Sequence, residues 1–151
     1  MHKVTAALLK KLLCYEPETG ELFWRERHLC MFRGSQQEAA RACKIWNSRY
    51  SGAQAFTSIV NGYSVGSIFG KTYRAHRIIW KIQTGAEPRE LIDHIDGNKT
   101  NNTWGNLREA AVAQNSRNRR SQKGSSSRYL GVSWDSERCK WLSDVCLNGK
   151  K

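Results

Sequence analysis

Apolar residues along the first third of the chain come in short bursts separated by polar turns. Leu8, Leu9, Leu12 and Leu13 repeat at helical spacing, which predicts an amphipathic helix from Thr5 to Leu13 with Thr5 as its N-cap. Pro17 and Gly20 then set a turn into a strand through Phe23 and Trp24. The Ala-rich run from Gln36 to Tyr50 predicts a second helix. Beyond it the pattern shortens to β segments that break around Asn61-Gly62, a strong hairpin signal, and around Gly70-Lys71, so an antiparallel sheet is expected. From His76 to Gln83 the helical period returns, with Ile78, Ile79 and Ile82 on the buried side. Gly85 stands where a C-cap glycine belongs, and Pro88 blocks continuation.

The next thirty residues, Leu91 to Arg120, are polar and crowded. A short strand, "LIDHID", turns at Asp96-Gly97-Asn98, and a helix is expected from Leu107, capped by Asn106 with Glu109 three residues on. After Arg120, "SQKGSSS" is a flexible linker, and the tail predicts two strands joined by a turn. The fold class is α+β. Four parts are expected: an N-terminal region at 1–74 of short helices and antiparallel strands, serving structure or DNA binding, a core at 75–120, a linker at 121–127 and a small β module at 128–151.

Charge narrows the partners. The chain of 151 residues carries a formal net charge of +12, and the excess divides evenly between its halves. Such a field attracts polyanions, of which nucleic acid is the obvious one. No apolar run approaches a membrane-spanning helix, and the apolar stretch in the opening residues is too short for a signal peptide, so a cytoplasmic protein without a membrane partner is expected. The five cysteines include no Cys-x-x-Cys spacing, which points away from a disulfide framework and from structural zinc.

The chemistry concentrates after Leu91. With 3.6 residues per turn, a helix starting at Leu107 carries Leu107, Ala111, Asn115 and Asn118 along one side, aiming Asn115 inward. Asp93 and His94 end the preceding strand. One carboxylate from Asp93 and one amide oxygen from Asn115 would suit a single Mg2+ or Mn2+, ions that prefer oxygen donors and complete their shell with water and phosphate. His94 beside them is of the residue type best placed to take a proton from water near neutral pH. Phosphodiester hydrolysis is the reaction these parts suggest. An EF-hand reading fails, because Gly97 at the sixth loop position would put Ile92 where a carboxylate is required.

The segment from Ala75 to Asn118, "AHRIIW" followed by "LIDHIDGNKTNNTWGNLREAAVAQNSRN", resembles the HNH endonuclease family, in particular its phage and homing branch. The resemblance implies a ββα-metal fold of two strands and a helix around one divalent ion. It places His94 as general base, Asn106 as the central Asn that braces the loop, and Asp93 and Asn115 as metal ligands. The sequence before it resembles what precedes the nuclease motif in many phage proteins of this kind. The tail resembles a partial AP2-type DNA-binding module through Tyr129, Gly131, Val132, Trp134, Lys140, Trp141, Asn148 and Gly149. Leu130 and Ser133 stand where plant members carry DNA-contacting arginines.

Between Val112 and Trp134 the charged residues are Arg117, Arg119, Arg120, Lys123 and Arg128, with no acid among them. With Asn118, this run is expected to track DNA phosphates, and Trp134, Lys140 and Trp141 to face double-stranded DNA from the tail. His76, on an Ile-rich helix, is taken as a packed core residue, and Asn101 and Asn102 as turn formers. The expected function is a metal-dependent endonuclease that nicks or cleaves DNA. Its rival is a DNA-binding protein without catalysis on a degenerate HNH scaffold, and an RNA-binding accessory protein is a third reading.

Overall fold

The structure is a computed structural model that describes residues 4–111, 125–129 and 131–143. The chain divides after Ala110 into two compact units. Helix α1 (Ala6–Leu12) opens the first unit, and the Thr5 hydroxyl accepts the Leu8 N–H at 3.2 Å, capping it. Strands β1 (Leu13–Glu16) and β2 (Glu21–Trp24) follow as a hairpin, and β3 (Gln54–Ala55) pairs with β2 on the other side. Between them lies α2 (Gln36–Tyr50), whose N-terminus is closed by a reciprocal capping box of Ser35 and Glu38.

A second antiparallel sheet is built from β4 (Ser58–Val60), β5 (Tyr63–Ile68) and β6 (Lys71–Arg74). Asn61 and Gly62, with φ of 52° and 81°, form the first hairpin turn, the left-handed pair that Asn-Gly adopts at least cost. The second turn centres on Phe69 and Gly70, one residue earlier than the sequence reading places it. The chain then runs straight into α3 (Ala75–Thr84), which ends on Gly85 in the left-handed conformation at φ 80°.

The core forms where these pieces meet. Leu9 and Leu12 of α1, Ile68 of β5 and Ile79 of α3 are fully buried, and Leu13, Leu22, Ile78, Ile82, Ile92 and Leu107 join the same cluster. Each such side chain contributes about 1.5–3 kcal/mol of burial. The cluster draws on both the N-terminal elements and the segment that follows α3.

Strand β7 (Leu91–His94) pairs antiparallel with β8 (Leu107–Ala110), in the register Leu91↔Ala110, Ile92↔Glu109, Asp93↔Arg108, His94↔Leu107. This corrects the expected helix start. Leu107 opens a strand, and Asn106 closes a 3-10 turn (Trp104–Asn106) instead of capping an α-helix. The local preference of "LREA" for helix is overridden because pairing with β7 satisfies the backbone and buries Leu107 and Ala110. Glu109, expected to bond back to Asn106, instead accepts the Arg89 N–H at 2.6 Å.

The second unit contains β9 (Val132–Asp135) and β10 (Lys140–Ser143), an antiparallel hairpin as the tail pattern predicts. Among the described residues no helix is long and apolar enough to cross a membrane. The architecture is α+β, with short helices and small antiparallel sheets.

Candidate active site at the β7–β8 loop

Residues 95–106 join β7 to β8, and their polar side chains bond mostly to one another. The Asn106 Oδ1 accepts the Asp96 N–H at 3.0 Å, while its Nδ2 donates to Asp96 Oδ1 at 2.9 Å and to the Asn101 carbonyl at 2.8 Å. Asp96 also accepts the Asn98 N–H at 2.7 Å and the Asn101 amide at 2.7 Å. These amide donors, first Asn101 and then Asn106, hold the Asp96 carboxyl below the usual carboxylate range. Buried Asn106 is thus the cross-brace of the loop.

His94 ends β7 and is only 5% exposed. Its Nε2 lies 3.2 Å from the Asn102 Oδ1. The Asn102 amide cannot simply turn over, because its Nδ2 donates to the Thr100 carbonyl at 3.1 Å. A carbonyl oxygen only accepts, so Nε2 carries the hydrogen and Nδ1 keeps the lone pair. The edge of the His76 ring packs on His94 with centroids 5.2 Å apart, and Tyr63 lies 5.2 Å from His76 and 6.1 Å from His94. Burial first, then the charges of His94, Arg74 and Arg77, push the His76 imidazole down to about 3, so it is neutral at ordinary pH.

The N-terminal hairpin reaches this loop. The Tyr15 hydroxyl donates to the Asn102 carbonyl at 2.8 Å, and burial raises that phenol to about 12, keeping the donor protonated. The Trp104 N–H donates to the Pro17 carbonyl at 3.2 Å. Gly20, at φ 78°, sits so close that a Cβ there would lie 2.5 Å from the Asn102 carbonyl carbon.

Asp93 stands one residue before His94, its side chain 14% exposed. Its Oδ2 receives the Arg108 guanidinium, from Nη2 at 2.9 Å and from Nε at 3.2 Å. Asp93 and His94 are therefore brought to one strand end, and Asn106 to the loop behind them. Asn115, Arg117, Asn118, Arg119, Arg120 and Lys123 lie outside the described residues. Among the described residues no group of three or more His, Cys, Asp or Glu side chains could hold a metal ion.

Residues 73–117 match the family described as HNH endonuclease. The chain is 39% identical over 84 residues to Protein 3.8 of Escherichia phage T7, covering 55% of this chain and 69% of that protein. It is 42% identical over 91 residues to a protein of Acanthamoeba polyphaga mimivirus named as an uncharacterized HNH endonuclease, covering 59% of this chain and 46% of that protein. The chain belongs to the HNH endonuclease family. No solved structure matches it.

Within the HNH segment, the contacts least visible in the sequence are those of Asn102 and Asp96. Both have the composition of ordinary turn residues, and Asn102 departs from that only because it is 4% exposed and aimed at His94. In the second unit, Trp134 and Trp141 face each other across the hairpin register, with rings edge to face at 5.2 Å and both exposed. Arg128 stacks on Tyr129 at 4.8 Å, and Lys140 is exposed at the start of β10.

Proposed function

We propose that this chain is a metal-dependent HNH endonuclease of the phage and homing type that hydrolyses DNA phosphodiester bonds. The observation that carries the reading is the contact of His94 Nε2 with Asn102 Oδ1 at 3.2 Å, which selects the tautomer of the neutral ring. With Nε2 engaged, Nδ1 is the base that takes the proton from an attacking water. The water oxygen bonds to phosphorus, the bond from phosphorus to the 3′ oxygen breaks, and the departing oxygen collects a proton from solvent. Asn102 fixes the ring, and Asn106 fixes the loop that carries Asn102.

The donor chemistry at the strand end fits a small hard divalent ion, because Asp93, next to the base in sequence, carries a carboxylate. Asp93 and Asn115 would hold Mg2+ or Mn2+ there, completing the two strands into a ββα-metal site. When bound, the ion would offset phosphate charge and stabilise the leaving oxygen. Arg117, Asn118, Arg119, Arg120, Lys123 and Arg128 would follow the DNA backbone. Trp134, Lys140 and Trp141, on the AP2-like hairpin, would meet the duplex. As a phage-type nuclease it would act in the cytoplasm of a host cell.

The second reading is a DNA-binding protein on a catalytically silent HNH scaffold. The bond from Arg108 to Asp93 favours it, since a guanidinium already occupies one oxygen of the proposed ligand. Supercoiled plasmid separates the two. Nicked or linear product with Mg2+ or Mn2+, abolished by EDTA and reduced about 100-fold or more in His94→Ala with DNA affinity kept, supports the nuclease. Intact plasmid under every condition, with the wild-type chain bound to it, supports the silent binder.

A further inference from the structure

Among the described residues, carboxylates hold four cations. Arg108 is paired with Asp93, Arg77 and Lys81 with Glu87, and Arg138 with Asp135. Arg74 and Lys99 are exposed and, among the described residues, have no carboxylate within ion-pair distance. Both are parked instead on one aromatic ring. The Arg74 guanidinium carbon lies 4.5 Å and the Lys99 ammonium nitrogen 4.7 Å from the centroid of Tyr63.

We propose that Tyr63, Arg74 and Lys99 form a phosphate clamp that holds the DNA strand beside His94. The proposal rests on the nuclease reading for its purpose, but its evidence is separate. A cation held over a ring face keeps its full charge and its hydrogen-bond donors, whereas one paired with a carboxylate has spent both. Two like charges around one ring, with no acid between them, are electrostatically unfavourable until an anion arrives. Arg74 adds to that cost. It is the N-cap of α3, where the helix field disfavours a cation, and its side chain makes no capping bond.

The clamp is also preorganised. The Asn61-Gly62 turn delivers Tyr63 as the first residue of β5. Lys99 lies with its stem against that turn, since a Cβ added at Gly62 would stand 3.4 Å from Lys99 Cδ. On its other sides the Tyr63 ring meets His76 and His94. One ring therefore positions both cations and borders the base. A backbone phosphate of a bound strand is the anion this arrangement fits, which adds contacts separate in sequence from the basic run at 117–128.

The test reads binding without requiring cleavage. Full-length chain is titrated onto a labelled DNA duplex in EDTA over a range of salt concentrations. Arg74→Gln/Lys99→Gln is expected to flatten the plot of log affinity against log salt by about 1.8, two phosphate contacts at about 0.9 each. Arg74→Lys/Lys99→Arg should restore most of the slope, and Tyr63→Ala should lose part of it while Tyr63→Phe keeps it. Lys10→Gln/Lys11→Gln on α1 removes the same charge elsewhere. An equal loss in that control, or an unchanged slope in the clamp variant, overturns the proposal. If the double variant fails to fold, the single variants at these exposed positions should each cost about 0.9 in slope. Plasmid left uncut by wild-type protein would sink the nuclease reading and leave this measurement standing.

Discussion

The β7–β8 loop and the tail hairpin reach order by opposite means. The loop at 95–106 has hardly any regular secondary structure, yet Asp96, Asn101, Asn102 and Asn106 close their polar atoms on one another and on the core. The hairpin of β9 and β10 has perfect antiparallel register, yet its two tryptophans stand in solvent at 44% and 55% exposure. Regular hydrogen bonding gives a shape, but buried and mutually satisfied amides give a fixed position. A base that must meet one phosphorus atom needs the second. The duplex contact proposed for Trp134 and Trp141 needs only the first.

Breaking the loop should therefore cost much more than breaking the hairpin. Asn106→Ala removes three hydrogen bonds together, two to exposed Asp96 and one to half-buried Asn101, so a loss of about 2–4 kcal/mol is expected in chemical denaturation. Gly20→Ala should rank next, at about 2 kcal/mol, because its Cβ must enter the Asn102 backbone at a positive φ. A melting temperature within a degree of wild type for either one would mean that the loop is not braced as described.

Asn102→Ala sharpens the comparison, since it removes the partner that holds the His94 ring. We expect kcat for plasmid nicking to fall at least about 10-fold with little change in DNA affinity. Equal nicking would show that ring orientation does not limit the reaction. A separate effect comes from acid. His76 titrates near 3 when folded against an ordinary 6.5, so below about 6.5 the unfolded chain binds the proton that the native state refuses. Stability should decline as pH falls from 6.5 toward 3, and above about pH 5 this decline precedes any contribution from Asp96, whose carboxyl is still ionised in both states. His76→Gln should flatten that part of a plot of melting temperature against pH, and an undiminished slope would assign the effect elsewhere. Smallest of all, Trp134→Ala should cost the hairpin about 0.5–1.5 kcal/mol and leave the melting of the first unit unchanged.

What could be read in the sequence follows from how local each cause is. The leucine period of α1, the isoleucines of α3 and the Asn61-Gly62 turn depend on neighbours within a few residues, and they appear as expected. The strand that Asp93 and His94 end is legible for the same reason, since its pattern lies within a few residues. The strand from Leu107 is not legible, and a helix is expected in its place, because "LREA" answers to a partner strand thirteen or more positions away. Asn102 was passed over for the same kind of reason. Its backbone partner, the Tyr15 hydroxyl, is 87 positions distant, and nothing in either local sequence announces the contact. The positions proposed for metal and backbone contact at 115–123 fall outside the described residues.

The close approach of Gly20 and Tyr15 to Asn102 bears on anyone wishing to transplant the HNH segment. A gene cut just ahead of Arg74 would yield a portable fragment by motif, but one severed from the buttress that keeps its histidine loop in shape. Fusion designs should carry the opening hairpin along, or supply a substitute wall for Asn102 to lean on.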